Sequence, residues 1–286
     1  MKNLTHKQRI LLKVVDGLFE MGNSSRFMVV KNLFLLAHEE RVGSLIKFYN
    51  FFPYKYGPFS NVCYADISKL ESEGLLIEAG KHLALTDKGK QASITANRKA
   101  SLRTNRAVKR FNSDREIREY VYREFPEYTV KSELIKLPQK QVIPGIFTIG
   151  YEGKDIDSFL NNLIQNDIGI LIDVRKNPFS MNFNFTKKKL TNFLNKSDIQ
   201  YLHIPELGIE GRLRDNLSTL KEYQILFKQY ETTTLETQSG EIKQIVDLGK
   251  KQRIALMCFE ANKDFCHRGI IAENIERQHE LGVVHL

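Results

Sequence analysis

Thiol, imidazole, guanidinium and carboxylate side chains are concentrated in one short stretch near the end of this 286-residue chain. Cys258 and Glu260 follow an apolar run, and Cys266, His267 and Arg268 stand together where an amphipathic helix is predicted to begin. A junction between a strand and the next helix is where α/β proteins bind ligands. The stretch therefore predicts a functional site.

Further polar side chains follow other predicted strands. Strands predicted at 146–149, 168–174, 199–204 and 254–258 alternate with helices, which indicates an α/β domain with an open, mostly parallel sheet. The carboxyl ends of parallel strands share one edge of the sheet. The side chains expected to converge at this edge are Tyr151, Asp173, Arg175, Ser180, His203, Cys258, Glu260, Cys266, His267 and Arg268.

Four of these residues are candidates for catalysis. Glu260 and Asp173 are the candidate general acid and base for hydrolysis of a phosphodiester or an N-glycosidic bond. Cys266 at a helix start is expected to have a lowered pKa and to act as a nucleophile, with His267 transferring protons. The competing interpretation places the two carboxylates in an ion-pair network.

The other candidates suit an anionic ligand. Arg268, in the first turn of a predicted helix, and Arg175, at a neighbouring strand end, predict a phosphate site. Alternatively, Arg268 pairs with Asp173 or Glu260. The full set of phosphate- and ligand-binding candidates is Tyr151, Arg175, Ser180, His203, Cys258 and Arg268.

The cysteines leave more than one interpretation open. Cys258 suits core packing, whereas Cys258 and Cys266 with His267 or His203 also have the composition of a zinc site. The seven residues between the cysteines exceed the usual spacing of structural zinc sites. P-loop, GxGxxG and HExxH motifs do not occur in the sequence. The sequence therefore assigns no metal and no particular cofactor.

Six segments carry a resemblance to a known family. TIGYEG, LIDVRKNPFS, YLHIPELG, ALMCFE, CHRGIIAE and GVVHL follow one another over 146–286 and closely resemble the DUF488 family. The resemblance implies an α/β fold and a signature that adds Pro178 to the residues above, but it implies no reaction. The charged segment IEGRLRDN after Gly208 departs from the family pattern, in the loop expected to cover a substrate.

The basic charge lies in the first half of the chain. Residues 1–145 contain 25 Lys and Arg against 15 Asp and Glu, whereas 146–286 contain 18 against 19. A basic module joined to a neutral one indicates that the basic module binds a polyanion, although a merely soluble basic surface has the same composition.

The first 95 residues resemble a winged-helix domain. Apolar spacing predicts helices at 6–20, 26–40 and 60–73, followed by a strand–turn–strand hairpin. LxxEGLL…LALTDKG and PYKYGPFS resemble winged-helix proteins, some near Panacea-type antitoxin domains. The resemblance implies an α+β winged-helix domain over 1–95 with DNA contacts at Lys55, Tyr56, Lys69 and the wing residues Lys81 and His82. The alternative is a winged helix that contacts protein.

A basic segment follows this domain. Nine Lys and Arg residues lie between 98 and 123, which predicts a basic helical arm and linker over 96–144 before the α/β domain at 145–286. Its candidate phosphate contacts are Arg103, Arg106, Lys109 and Arg110. A solvated helix face is the competing interpretation.

The composition of the chain predicts the cellular compartment in which it works. Three cysteines, the lack of a signal-peptide pattern and the lack of a membrane-length apolar run predict a cytoplasmic protein with no membrane partner.

We expect a DNA-binding protein whose C-terminal domain cleaves or modifies nucleic acid or a nucleotide. The alternatives are a ligand-sensing transcriptional regulator without catalysis and an interaction module of a toxin–antitoxin or phage-defence system. Winged-helix regulators are frequently dimers, so a homodimer is consistent with this expectation.

Overall fold

The computed structural model describes residues 4–94, 96–136, 138, 141–214, 217 and 219–286. The chain divides into two compact units, Met1–Leu137 and Pro138–Leu286. Within the described part of the chain, every helix is too short or too polar to cross a membrane.

The N-terminal unit begins with two helices that start where the sequence predicts them. Helix α1 (His6–Glu20) opens with a capping box, in which the Thr5 side chain accepts from the Gln8 N–H and the Gln8 side chain accepts from the Thr5 N–H. Helix α2 (Arg26–His38) starts after Ser25, whose hydroxyl accepts from the backbone of the first turn. Both helices bury their apolar residues in one shared core.

Two short hairpins flank the third helix. Strands β1 (Phe52–Tyr54) and β2 (Gly57–Phe59) are antiparallel, and helix α3 (Asn61–Ser72) follows them. Strands β3 (Leu76–Ala79) and β4 (His82–Leu85) then pair antiparallel.

The order of helices and the second hairpin agree with the expectation, and the winged-helix assignment itself stays a prediction. The first hairpin was not predicted from the sequence. Pro53 and Pro58 lie opposite each other across this hairpin.

The segment predicted as a basic arm is folded into the N-terminal unit. Helices α4 (Asp87–Ile94), α5 (Arg98–Ala107) and α6 (Asp114–Glu124) follow β4. Ala100 and Ile117 are fully buried in the same core as α1 and α2. These helices are amphipathic, so they present basic residues on one face while the other face packs.

The C-terminal unit confirms the predicted α/β architecture. Its strands are β5 (Gly145–Gly150), β6 (Ile170–Asp173), β7 (Gln200–His203), β8 (Arg253–Cys258) and β9 (Val283–His285). They form one sheet in the order β7-β6-β8-β5-β9, and every pairing is parallel. Strand β8 is central and almost wholly buried, which explains its continuous apolar sequence.

Helices connect the strands of this sheet. They are α7 (Ile156–Gln165), α8 (Lys187–Asn195), α9 (Leu220–Tyr230), α10 (Ser239–Gly249) and α11 (His267–His279). The sequence predicts helical structure over 221–248 with a possible break at Ser239-Gly240. The structure has a π-helical turn at Glu231–Leu235 between α9 and α10, and α10 begins at Ser239.

Candidate active site

A cleft of about 700 Å³ lies at the carboxyl ends of β5, β6 and β8. It is the edge at which the sequence predicts ten side chains to converge, and the structure separates these into two groups. Those that line the cleft are Tyr151, Arg175, Ser180, Cys258 and Glu260. Those that do not line it are Asp173, His203, Cys266, His267 and Arg268.

Asp173 forms a buried ion pair with Arg175. Its two carboxylate oxygens accept from Nε of Arg175 at 2.8 Å and from Nη2 at 2.6 Å. The Tyr201 hydroxyl donates to Asp173 at 2.7 Å, and Arg175 in turn donates to the Tyr151 hydroxyl at 2.9 Å and to the Phe185 carbonyl at 3.0 Å. The pair is 6% and 0% exposed at the Arg175 and Asp173 side chains.

Electrostatics keep the Arg175 guanidinium in its charged form. Burial alone would lower the pKa of Arg175, but the hydrogen bonds and the charge of Asp173 outweigh burial and raise it. Burial and the same carboxylate raise the pKa of Tyr201. Asp173 is therefore the buried partner of Arg175 and supports the cleft from behind, which is the ion-pair interpretation that the sequence left open.

Glu260 is the predicted catalytic carboxylate that faces the cleft. Its Oε1 accepts from Nη1 of Arg214 at 3.0 Å, and its side chain is 16% exposed. Burial would raise the pKa of Glu260, but thiol and backbone hydrogen bonds and the charges of Arg214 and His267 lower it overall. The Cys258 thiol donates to Oε2 of Glu260 at 3.4 Å.

Arg214 was not among the predicted site residues. It lies in the segment IEGRLRDN, whose unusual charge was the available signal, while Asp215 and Asn216 of that segment lie outside the described residues. Arg214 is one-third exposed and lines the cleft, so it is the guanidinium best placed to meet a ligand there.

Arg268 holds the turn that carries Glu260. Its Nη1 donates to the Glu260 carbonyl at 2.6 Å and its Nη2 donates to the Ala261 carbonyl at 2.9 Å. The Ala261 N–H donates to the Glu152 carboxylate at 2.8 Å. Gly150 packs directly against this turn, since a Cβ there would overlap the Glu260 carbonyl oxygen. Arg268 is 2% exposed, so it positions the turn and is not available to bind a phosphate.

Two cysteines and a histidine lie close together beside the cleft, which Cys258 lines and Cys266 and His267 do not. Among the described residues, Cys258, Cys266 and His267 form a buried group whose candidate ligand atoms all lie within 4.8 Å of one another. Burial and the neighbouring Cys258 thiol raise the pKa of Cys266 well above its usual value. This direction is opposite to the one predicted from the helix N-terminus, because desolvation of a thiolate outweighs the helix dipole.

His203 and Ser180 have local partners. Nε2 of His203 lies 2.9 Å from the Arg175 carbonyl, and the Ser180 hydroxyl accepts from the Asn182 N–H at 3.1 Å. His203 thus fixes the backbone beside the ion pair, and Ser180 shapes the loop that borders the cleft.

An apolar rim surrounds the polar floor of the cleft. Phe179, Met181 and Phe259 line it, with exposures of 61%, 84% and 45%. Large apolar side chains this exposed mark interaction surfaces. These rim residues were not predicted from the sequence, although the aromatic residues of the segment NPFSMNFNF between predicted elements were a visible signal.

Comparison with known proteins supports part of the family resemblance. Residues 155–275 match the family model described as "Domain of unknown function DUF488". This match supports the DUF488 assignment of the C-terminal half. No curated protein and no solved structure matches the chain.

Proposed function

We propose that this protein binds DNA through its N-terminal unit and hydrolyses a nucleic acid or a nucleotide in the C-terminal cleft. The observation that carries the proposal is the pairing of Glu260 with Arg214 on the floor of an open cleft with an aromatic rim. A carboxylate beside a guanidinium suits water activation next to a phosphate.

The aromatic rim supports a substrate that contains a base. Exposed aromatic side chains stack on nucleobases regardless of sequence. Phe179 and Phe259 line the same cleft as Glu260, so a stacked base and its phosphate fit within one cavity of about 700 Å³. A cleft of this size is within the range of small-molecule sites.

The proposed reaction is hydrolysis of a phosphodiester. Glu260 accepts a proton from a water molecule while the water oxygen forms a bond to phosphorus. The bond from phosphorus to the leaving oxygen breaks, and that oxygen takes the proton from Glu260. Arg214 moves from Glu260 to the phosphate and stabilises its developing charge.

Replacement of Glu260 tests this reaction. Because Gln cannot accept the proton from water, Glu260→Gln should reduce turnover by about 100-fold or more. The measurement is product formation from single- and double-stranded DNA and RNA and from mono- and dinucleotides.

Glu210→Gln is the matched control, since Glu210 lines the same cleft but pairs at 3.9 Å with the exposed Lys176. It should retain wild-type turnover. Wild-type protein inactive on every substrate, or Glu260→Gln as active as wild type, would contradict the proposal. Thermal stabilisation by a nucleotide without turnover would favour the ligand-sensing regulator.

The surface of the N-terminal unit supports DNA binding. Lys69 on α3 and Lys81 in the turn between β3 and β4 are exposed, as are Arg106 in the last turn of α5 and Lys109 just after that helix. Tyr56 is half exposed beside Lys55.

Three of the predicted contacts have protein partners instead. Lys55 pairs with Glu133 at 2.7 Å, Arg103 donates to the backbone of Glu40, and Arg110 pairs with Glu39. Lys69 and Lys81 are therefore the stronger candidates.

Salt dependence tests the DNA contacts. Lys69→Ala combined with Lys81→Ala should weaken DNA binding. It should also reduce the magnitude of the slope of log K against the logarithm of the salt concentration by about two, since each phosphate contact contributes about 0.9. Lys188→Ala with Lys189→Ala makes the same change of charge on α8 of the other unit and should leave the slope unchanged. Equal slopes for the two double variants would remove Lys69 and Lys81 from the interface.

A further inference from the structure

Two cysteines and one histidine in the C-terminal unit are not used by the proposed reaction. Cys258 ends β8, Cys266 is the residue before α11, and His267 is the first residue of α11. Their exposures are 1%, 1% and 2%, and their candidate ligand atoms lie within 4.8 Å of one another. Three polar groups gathered inside a core require a reason.

The hydrogen bond of His267 determines which ring nitrogen faces the thiols. Its Nε2 lies 2.9 Å from the Val174 carbonyl, which can only accept, so Nε2 carries the proton. In the neutral ring Nδ1 then presents a lone pair, and it lies 3.7 Å from Sγ of Cys258. A histidine that donates its other N–H to a backbone carbonyl is the usual arrangement of a metal ligand.

The spacing of these atoms suits a zinc ion. With Zn–S near 2.3 Å and Zn–N near 2.0–2.1 Å, a tetrahedral site separates sulfur from nitrogen by about 3.6 Å. The 3.7 Å between Cys258 and His267 agrees with that edge. Two thiolates also neutralise a divalent cation, so the occupied site carries no net charge within the core.

We propose that Cys258, Cys266 and His267 bind a zinc ion whose fourth coordination position faces the cleft. Cys258 lines the cleft, and Oε2 of Glu260 lies 3.4 Å from its sulfur, which places that carboxylate beside the fourth position. Thiolate and imidazole ligands favour zinc over magnesium or calcium. Binding releases the two thiol protons to solvent.

The proposal of this site does not rest on the reaction proposed for Glu260. Three protein ligands and one open position are the pattern of catalytic zinc sites, whereas structural sites have four protein ligands. The competing state of the same residues is a disulfide between Cys258 and Cys266.

Metal content of the full chain is the first measurement. After purification under reducing conditions, incubation with zinc and desalting, wild type should retain about one zinc per chain, and Cys258→Ser or Cys266→Ser should retain about tenfold less. Cys63→Ala should match wild type, because Cys63 is a buried cysteine of the other unit.

Cobalt gives a second measurement that needs no variant. Wild type loaded with Co²⁺ should show thiolate charge-transfer bands and the intense visible bands of a tetrahedral site, and zinc should abolish both. Absence of these bands overturns the proposal. Zinc retained by folded Cys258→Ser and Cys266→Ser, or a Cys258–Cys266 disulfide whose reduced form takes up no zinc, overturns it as well. Neither readout involves turnover, so failure here is separate from failure of the proposed hydrolysis.

Discussion

Replacing Asp173 with asparagine should lower the free energy of unfolding of the C-terminal unit by about 3–5 kcal/mol. The reason is the buried guanidinium of Arg175, whose ion pair among the described residues is with the Asp173 carboxylate at 2.6 and 2.8 Å. A neutral amide in place of the carboxylate would leave the guanidinium charged and without a counterion. Urea denaturation, with hydrogen exchange of β6 to identify the unit, measures the change.

Tyr201→Phe is the control for this prediction. It removes only the hydroxyl that donates to Asp173 at 2.7 Å and leaves the ion pair in place. We expect a loss of about 1 kcal/mol from this single hydrogen bond. If Asp173→Asn were no more destabilising than Tyr201→Phe, the ion pair would contribute nothing beyond its hydrogen bonds.

Replacing Gly150 with alanine should displace the turn that carries Glu260. A Cβ at Gly150 would overlap the Glu260 carbonyl oxygen, and that atom belongs to the backbone and is held by Arg268. Overpacking against a fixed backbone costs about 1–3 kcal/mol and sometimes more. We expect this loss of stability together with faster hydrogen exchange at 259–262 and loss of ligand binding in the cleft.

Gly145→Ala is the matched control at the other end of β5. A Cβ there has an ordinary contact of 3.5 Å with the ring of Phe147. Its effect on stability should stay below about 1 kcal/mol, with unchanged exchange at 259–262. Equal effects of the two glycine variants would show that the close approach of Gly150 has no special role.

The α/β fold could be predicted because its signals are local and continuous. The apolar run of β8 marks a buried parallel strand, and apolar spacing marks the helices that follow β5 and β6. The β1–β2 hairpin was missed, because Pro53 and Pro58 suggest only a break in regular structure. Their pairing across a three-residue ladder depends on contacts that no local pattern records.

The site could be predicted only in part, because residues at one edge of a sheet can point in different directions. Glu260 and Cys258 face the cleft, whereas Asp173 turns inward to Arg175. Local sequence does not determine which of two neighbouring carboxylates is buried.

Arg214 was missed for a related reason. It reaches Glu260 from a loop 46 residues away in sequence. Because Arg214 does not follow a predicted strand, its sequence position gave no indication of this contact.

The position of β8 in the sheet also affects the order in which the C-terminal unit can fold. Strand β8 lies between β6 and β5, yet it follows both of them in the chain. While a ribosome is still synthesising the residues before β8, β5 has neither of its two neighbours, and β6 can pair only with β7. Cotranslational folding of this unit must therefore wait for β8 to emerge, and the apolar edge of β6 remains open to other chains until then.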